Sequence, residues 1–226
     1  MKSPYDLTKK EFESLLQIVE DKYNSRISCY MLRRAFAVVS NTLEQHNRIF
    51  AMFIVLRFAE DHIPNDPDAP VCFQRVDAKA ITRFMDSLKS QLRAEHERSD
   101  RTGEPALPSY VWVRERDTSN HPHYHLLLLF NREVYGYLGD YTNRSADNMA
   151  TRIQKAWCSA IGLHYPDYAY LPHFPKNHSA WFSRHDALTL SPDYYDFLLR
   201  MGYMAKEYSK DFHDGYRNIG TSQILD

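Results

Sequence analysis

The stretch PHYHLLLLF (Pro122–Phe130) limits the fold more than any other part of the chain. Its run of leucines demands burial and reads as a strand. SYVWVRERD (Ser109–Asp117) reads as a second strand just before it, and a short turn around Thr118–Asn120 makes the two a hairpin. Successive side chains of a strand point to opposite faces, so His123 and His125 share one face and Tyr124 takes the other. Any fold for this chain must therefore bury the leucines while giving two imidazoles something to hold.

Around the hairpin, apolar spacing predicts helices. Thr8–Tyr23 sets Phe12, Leu15, Leu16 and Val19 on one side after a threonine cap, and Tyr30–Asn47 continues in the same style. Asp77–Asp100 is amphipathic, Ser145–Gly162 has a serine cap and a glycine stop, and Ser191–Phe212 opens with Ser-Pro. RIFAMFIVLRF (Arg48–Phe58) predicts a buried strand, Tyr168–Phe174 a short one, and Glu60–Pro70 a loop. The order αα–β–α–β–β–α–β–α predicts an α+β fold: an antiparallel β-sheet with a ferredoxin-like core and helices packed on one face. Residues 1–45 form an N-terminal helical extension, and residues 46–226 carry the motifs.

Composition excludes several classes. No run approaches the ~18 apolar residues that cross a bilayer, and the N-terminus lacks the apolar core of an export signal. Cys29, Cys72 and Cys158 are scattered, which suits reduced thiols in the cytoplasm. With only 7 glycines and no GxxxxGK[ST] stretch, a P-loop NTPase or helicase is disfavoured. The net charge of −1 predicts weak non-specific affinity for nucleic acid, so any such binding must rest on a local basic surface.

His123 and His125, roughly 6–7 Å apart by strand rise, can converge on one ion. Glu115, on the preceding strand near the turn, offers a third ligand. Two imidazoles and a carboxylate leave positions open for water and a phosphate, and Mg²⁺ or Mn²⁺ fits a phosphate substrate. His121 keeps the alternation, but Pro122 bends the chain there, so it ranks below the other two. The bland alternative, a surface or hydrogen-bonded histidine pair, is weakened by the leucines and by the carboxylate across the hairpin.

In the last helix the apolar stripe is Tyr194, Phe197, Leu198, Met201, Ala205 and Tyr208. At ~100° per residue Tyr203 points away from that stripe, with Lys206 and Lys210 on its own side. A phenol of pKa ~10 is a poor nucleophile unless nearby positive charge offsets what develops on it, so Tyr203 reads as the nucleophile and Lys206 as its aid. The bland alternative for Tyr203 is an exposed helix tyrosine covering Leu199. For Lys210 a solvated face is the favoured reading, and for Tyr208 core packing.

These residues resemble the HUH endonuclease superfamily. HYH (His123–His125) is similar to its paired-histidine motif, YMAK (Tyr203–Lys206) to its YxxK motif, and FIVLRF (Phe53–Phe58) occupies the place of its first strand motif. Histidines before tyrosine is the order of rolling-circle replication initiators and single-tyrosine transposases. More narrowly, NRIFAMFIVLRF and RMGYMAKEYSKDF resemble the YagK/YfjJ-like prophage proteins, also called inovirus-type replication proteins, over about residues 45–212. The resemblance implies an HUH-type endonuclease domain over residues 46–226 that nicks and joins single-stranded DNA through a covalent 5′-phosphotyrosine at Tyr203. It further implies a divalent metal on Glu115, His123 and His125, single-stranded or hairpin origin DNA as substrate, and a host helicase and polymerase as partners in a bacterial cytoplasm. Some phage initiators carry YxxKY, whereas Glu207 stands at that position here, so a single-tyrosine enzyme is expected. Arg57 and Arg75 are weighed as DNA phosphate contacts, with an ordinary surface role favoured for each. The rivals are a transposase of the same chemistry, a DNA-binding regulator that keeps the fold without nicking, and an unrelated metal hydrolase with HxH on a barrel strand.

Overall fold

The computed structural model describes residues 3–60, 74–116, 120–212 and 214–223. The expected loop beyond Glu60, the hairpin turn at Thr118 and Ser119, and Cys72 lie outside the described residues.

Two helices come first, α1 (Lys9–Tyr23) and α2 (Cys29–Gln45), followed by β1 (Arg48–Leu56) and α3 (Ala80–Arg98). The hairpin strands are β2 (Ser109–Glu115) and β3 (His123–Asn131), and α4 (Met149–Ile161) follows. Short elements complete the chain: β4 (Pro172–His173), β5 (Ser179–Ser183), α5 (Arg184–Thr189), α6 (Pro192–Tyr203) and β6 (Ile219–Thr221). The fold is α+β, with an open, antiparallel sheet in the order β4-β1-β3-β2-β6, and β5 also pairs with β1.

Local chemistry accounts for most boundaries. Thr8 and Glu11 form a reciprocal capping box at the start of α1, satisfying two otherwise orphaned amides. Ser191 accepts from the Tyr194 amide and Pro192 supplies the first helical residue of α6, as expected. α4 begins later than expected, because Asn148 is its cap while the Ser145 hydroxyl donates to Asn143 instead. Gly162 ends α4 at φ 79°, a left-handed turn that suits glycine.

Helices cover both faces of the sheet, not one. On one face α1, α2 and α6 pack on Ile49, Ala51, Val111, Val113, Leu127 and Leu129. On the other, α3 and α4 cover Phe50, Met52, Ile54, Leu126, Leu128 and Phe130. Sheets buried on both sides show unbroken apolar runs, which is why LLLL serves β3. The two N-terminal helices thus share one core with α6, and Ile27 pairs with Lys206 as an antiparallel bridge.

The last helix is shorter than its periodicity predicts. It ends at Tyr203, and the chain then turns through Met204–Lys206 with i to i+3 hydrogen bonds. Ser28 donates to the Ala205 carbonyl at 2.8 Å and Glu207 to the Arg26 carbonyl at 3.0 Å. Pairing with the α1–α2 connection satisfies backbone groups that helix continuation would otherwise have used. The expected strand at Tyr168–Phe174 is reduced to Pro172–His173, and β5, α5 and β6 were not anticipated.

Gly202 marks the tightest approach of α6 to α1. A Cβ there would lie 2.7 and 2.8 Å from the two γ-methyls of Val19, which is fully buried. Gly202→Ala gains ~1 kcal/mol of helix propensity but overpacks a stiff β-branched neighbour for ~1–3 kcal/mol. A net loss of about 1 kcal/mol is expected in urea unfolding.

Candidate metal and tyrosine site

His123 and His125 continue the face of β3 that carries Leu127 and Leu129, beyond the end of the α1–α2–α6 core. β2 runs beside it in a register that sets Glu115 opposite His123 and Val113 opposite His125. One pleat therefore brings a carboxylate and two imidazoles together. Glu115 Oε2 stands 3.1 Å from His125 Nε2 and 3.5 Å from His123 Nε2. One ligand atom from each of the three lies within 4.8 Å of the others. Two nitrogens and a carboxylate oxygen brought this close are the donor types that could hold a divalent ion, once the imidazoles turn their lone pairs from Glu115 to it.

Lys210 completes the group, and the solvated role expected for it is overturned. Its side chain is 0% exposed and its Nζ donates to Glu115 Oε1 at 2.7 Å. Because the helix stops at Tyr203, residues 204–210 fold back: Arg116 donates to the Ser209 carbonyl at 2.9 Å, so this segment runs alongside the end of β2. Burial by itself would raise the Glu115 carboxyl, but hydrogen bonds from His123 and His125 and the charges of His125 and Lys210 hold it far below the ordinary carboxylate range. Burial lowers the His125 imidazole, with Glu115 opposing, and so favours the neutral ring that a metal needs.

These shifts set a pH dependence. A lowered histidine means the unfolded chain takes up that proton first, so stability is lost as pH falls below the ordinary value of 6.5 toward the folded one. The lowered Glu115 contributes stability above its ordinary 4.5, lost as pH falls from there toward the folded value. Thermal melts should show Tm declining in both ranges, and Glu115→Gln should make the lower decline shallower, leaving the part due to other lowered carboxylates such as Asp186.

Tyr203, the last residue of α6, abuts the histidines: its ring centroid is 5.6 Å from that of His125. On its other side Tyr23 meets it edge-on at 5.1 Å, and the Tyr23 hydroxyl donates to the Leu199 carbonyl. Lys206 is buried, with Nζ 3.4 Å from the Tyr203 ring centroid and 3.2 Å from the Tyr208 hydroxyl. Burial alone would lower this ammonium, but bonds to Tyr203 and Tyr208 outweigh it and raise its pKa. At neutral pH Lys206 is a cation.

Tyr208 is not core. It is 69% exposed, because the helical stripe that would have buried it ends five residues earlier. His121 meets Phe58 of the α3–α4 core edge-on and stays outside the three-ligand group, since β3 begins only after Pro122. Arg57 is exposed just past β1, at the end of the sheet that bears the histidines, and its carbonyl accepts from the Trp157 indole. Arg75 is exposed and bonds through its amide to the Ile161 carbonyl of α4. Neither arginine joins the Glu115–His123–His125 group.

Two site residues went unanticipated. Tyr23 read as an ordinary helix end, and nothing local marks it. Arg200 had a signal, lying one helical turn before Tyr203 on the same side. Its guanidinium sits over Phe53, 4.5 Å from the ring centroid, and donates to the Ser179 and Asn177 carbonyls. No helix among the described residues is long and apolar enough to cross a membrane.

The chain is similar to two Escherichia coli K12 proteins, both titled uncharacterized. It is 32% identical to YagK over 209 residues, covering 90% of this chain and 93% of YagK. It is 31% identical to YfjJ over 214 residues, covering 90% of this chain and 98% of YfjJ. No solved structure matches it significantly. The family model of the YagK/YfjJ C-terminal domain matches residues 8–222, helices α1 and α2 included, and the chain belongs to that family.

Proposed function

We propose that this protein is a metal-dependent nicking and joining enzyme for single-stranded DNA, of HUH type, that initiates rolling-circle replication of a phage or prophage element. The observation that carries the reading is the contact between Tyr203 and His125, which sets a phenol beside a two-histidine, one-carboxylate donor group. The strand order β4-β1-β3-β2, with α3 and α4 as crossovers, supports a ferredoxin-like core for such a domain.

In this reading Glu115, His123 and His125 hold Mg²⁺ or Mn²⁺, which when bound polarises the scissile phosphate. The Tyr203 oxygen forms a bond to phosphorus as the bond from phosphorus to the 3′ oxygen breaks. The phenol gives up its proton and the departing oxygen takes one, leaving a 5′-phosphotyrosine and a free 3′-hydroxyl. Lys206, cationic and against the Tyr203 ring, offsets the negative charge that grows on phenol and phosphate. Reversal with a new 3′-hydroxyl joins strands. The substrate would be single-stranded or hairpin origin DNA. In this reading a host helicase in the bacterial cytoplasm would unwind the duplex, ahead of a host polymerase.

The test is direct. Protein incubated with Mn²⁺ and a pool of single-stranded oligonucleotides should give a DNA–protein band on a denaturing gel, absent when EDTA replaces Mn²⁺. Gel shifts under native conditions without any covalent band would instead identify a DNA-binding regulator.

A further inference from the structure

The cleft beside Tyr203 does not end there. Tyr23, Phe53, His125, Arg200 and Tyr203 border a pocket of ≈ 230 Å³, which shares Asn177 and Arg200 with a second pocket of ≈ 520 Å³. The second is lined by Lys22, Lys176, His178, Trp181, Asp196 and Arg200, among others. Three full cations face one carboxylate in a chain whose net charge is −1. Lys22 and Lys176 are exposed, and among the described residues neither is ion-paired. Arg200 ties the rim to the nucleophile's helix through the Asn177 and Ser179 carbonyls.

Trp181 gives the pocket its chemical character. One side of the indole stacks on Phe50 at 5.8 Å and 21°, and its Nε1 donates to the Gly136 carbonyl at 2.9 Å. Yet the residue stays 46% exposed on a strand at the outer side of β1. A large ring held rigid on one side and wet on the other is a stacking platform, which an unpaired base can cover and a base inside a duplex cannot. Lysines alone would suit any polyanion. Their combination with a fixed indole, in a pocket that shares Asn177 and Arg200 with the one beside Tyr203, favours unpaired nucleotides.

We propose that this second pocket binds the single-stranded DNA as it leaves the scissile phosphate along the edge of the sheet, with Lys22 and Lys176 on backbone phosphates and Trp181 under a base farther along the strand. The inference rests on the nicking reading for the identity of the strand, but strand binding is measurable without any chemistry. The probe is a labelled 12-nucleotide single strand of mixed sequence, titrated with the full chain in EDTA and followed by anisotropy. Lys22→Glu with Lys176→Glu should weaken binding at least about tenfold at low salt and reduce the slope of log affinity against log salt by about 1.4, two phosphates' worth. Trp181→Ala should cost about tenfold and Trp181→Phe should recover most of it. All three side chains are exposed, thermal melts check the fold, and the Gln pair serves if the Glu pair melts early.

Wild-type affinity in the lysine pair and in Trp181→Ala overturns the pocket. So does equal competition by a blunt duplex, or a wild-type chain that binds no single strand. If wild-type protein gives no covalent adduct with Mn²⁺ but these variants still lose strand binding, the pocket stands and the nicking reading falls. If the variants bind and form adduct as wild type does, the pocket alone falls.

Discussion

Replacing Lys210 with methionine is expected to lower the free energy of unfolding by about 3–5 kcal/mol. The ammonium is wholly buried and donates at 2.7 Å to Oε1 of Glu115, a carboxylate that is itself 3% exposed. Methionine fills similar space, so the loss is electrostatic: an ionised Glu115 would remain buried without the ammonium that donates to its Oε1. Since a domain of this kind has about 5–15 kcal/mol in total, the variant should unfold at much lower urea than wild type. Adding Glu115→Gln to Lys210→Met should return part of the loss, because removing both charges costs less than stranding one. Urea curves for the two single variants and the double variant make the cycle. A Lys210→Met curve within about 1 kcal/mol of wild type would mean that the buried ion pair does not form in solution.

Tyr203→Phe should eliminate the covalent DNA adduct, and Tyr208→Phe should leave it. The two phenols compete for the role because Lys206 touches both, the ring of one and the hydroxyl of the other. Only Tyr203 meets His125, whereas Tyr208 projects into solvent. Phenylalanine keeps the ring contacts with Tyr23 and His125, so Tyr203→Phe should melt near wild type, which separates chemistry from folding. Lys206→Met should slow adduct formation by about 10²–10³, the usual effect of losing one charge-stabilising donor. Adduct that persists in Tyr203→Phe and vanishes in Tyr208→Phe would reverse the assignment.

How much of this was readable beforehand varies by element. The β2–β3 hairpin was, because both strands are apolar, β-favouring runs set off by turn residues, and alternation along β3 fixes which side chains share a face. Glu115 was placed on the neighbouring strand near the turn, and the observed pairing sets it opposite His123. α1 and the start of α6 were readable through their caps, which are local hydrogen bonds between neighbours in sequence. The far end of α6 was not. Alanine, lysine and glutamate after Tyr203 favour helix locally, yet Ser28 and Arg26, about 180 residues earlier, claim the backbone of Ala205 and Glu207.

Misreading that one end carried the errors at the site. A continuous helix would have buried Tyr208 and put Lys206 and Lys210 on a wet face. The turn instead exposes Tyr208, tucks Lys206 under Tyr203 and threads Lys210 to Glu115. Tyr23 was unreadable for a related reason: it reaches Tyr203 only because Gly202 lets α1 and α6 nearly touch.

By itself the sequence determined the hairpin, the face shared by the two histidines and a carboxylate on the strand beside them, since these follow from alternation and turn signals within one short stretch. Only the tertiary structure decided that helices cover both sides of the sheet, where α6 stops, and which lysine meets which acid. Those outcomes depend on backbone groups and charges far apart in the chain competing for the same partners, a contest that no local pattern records.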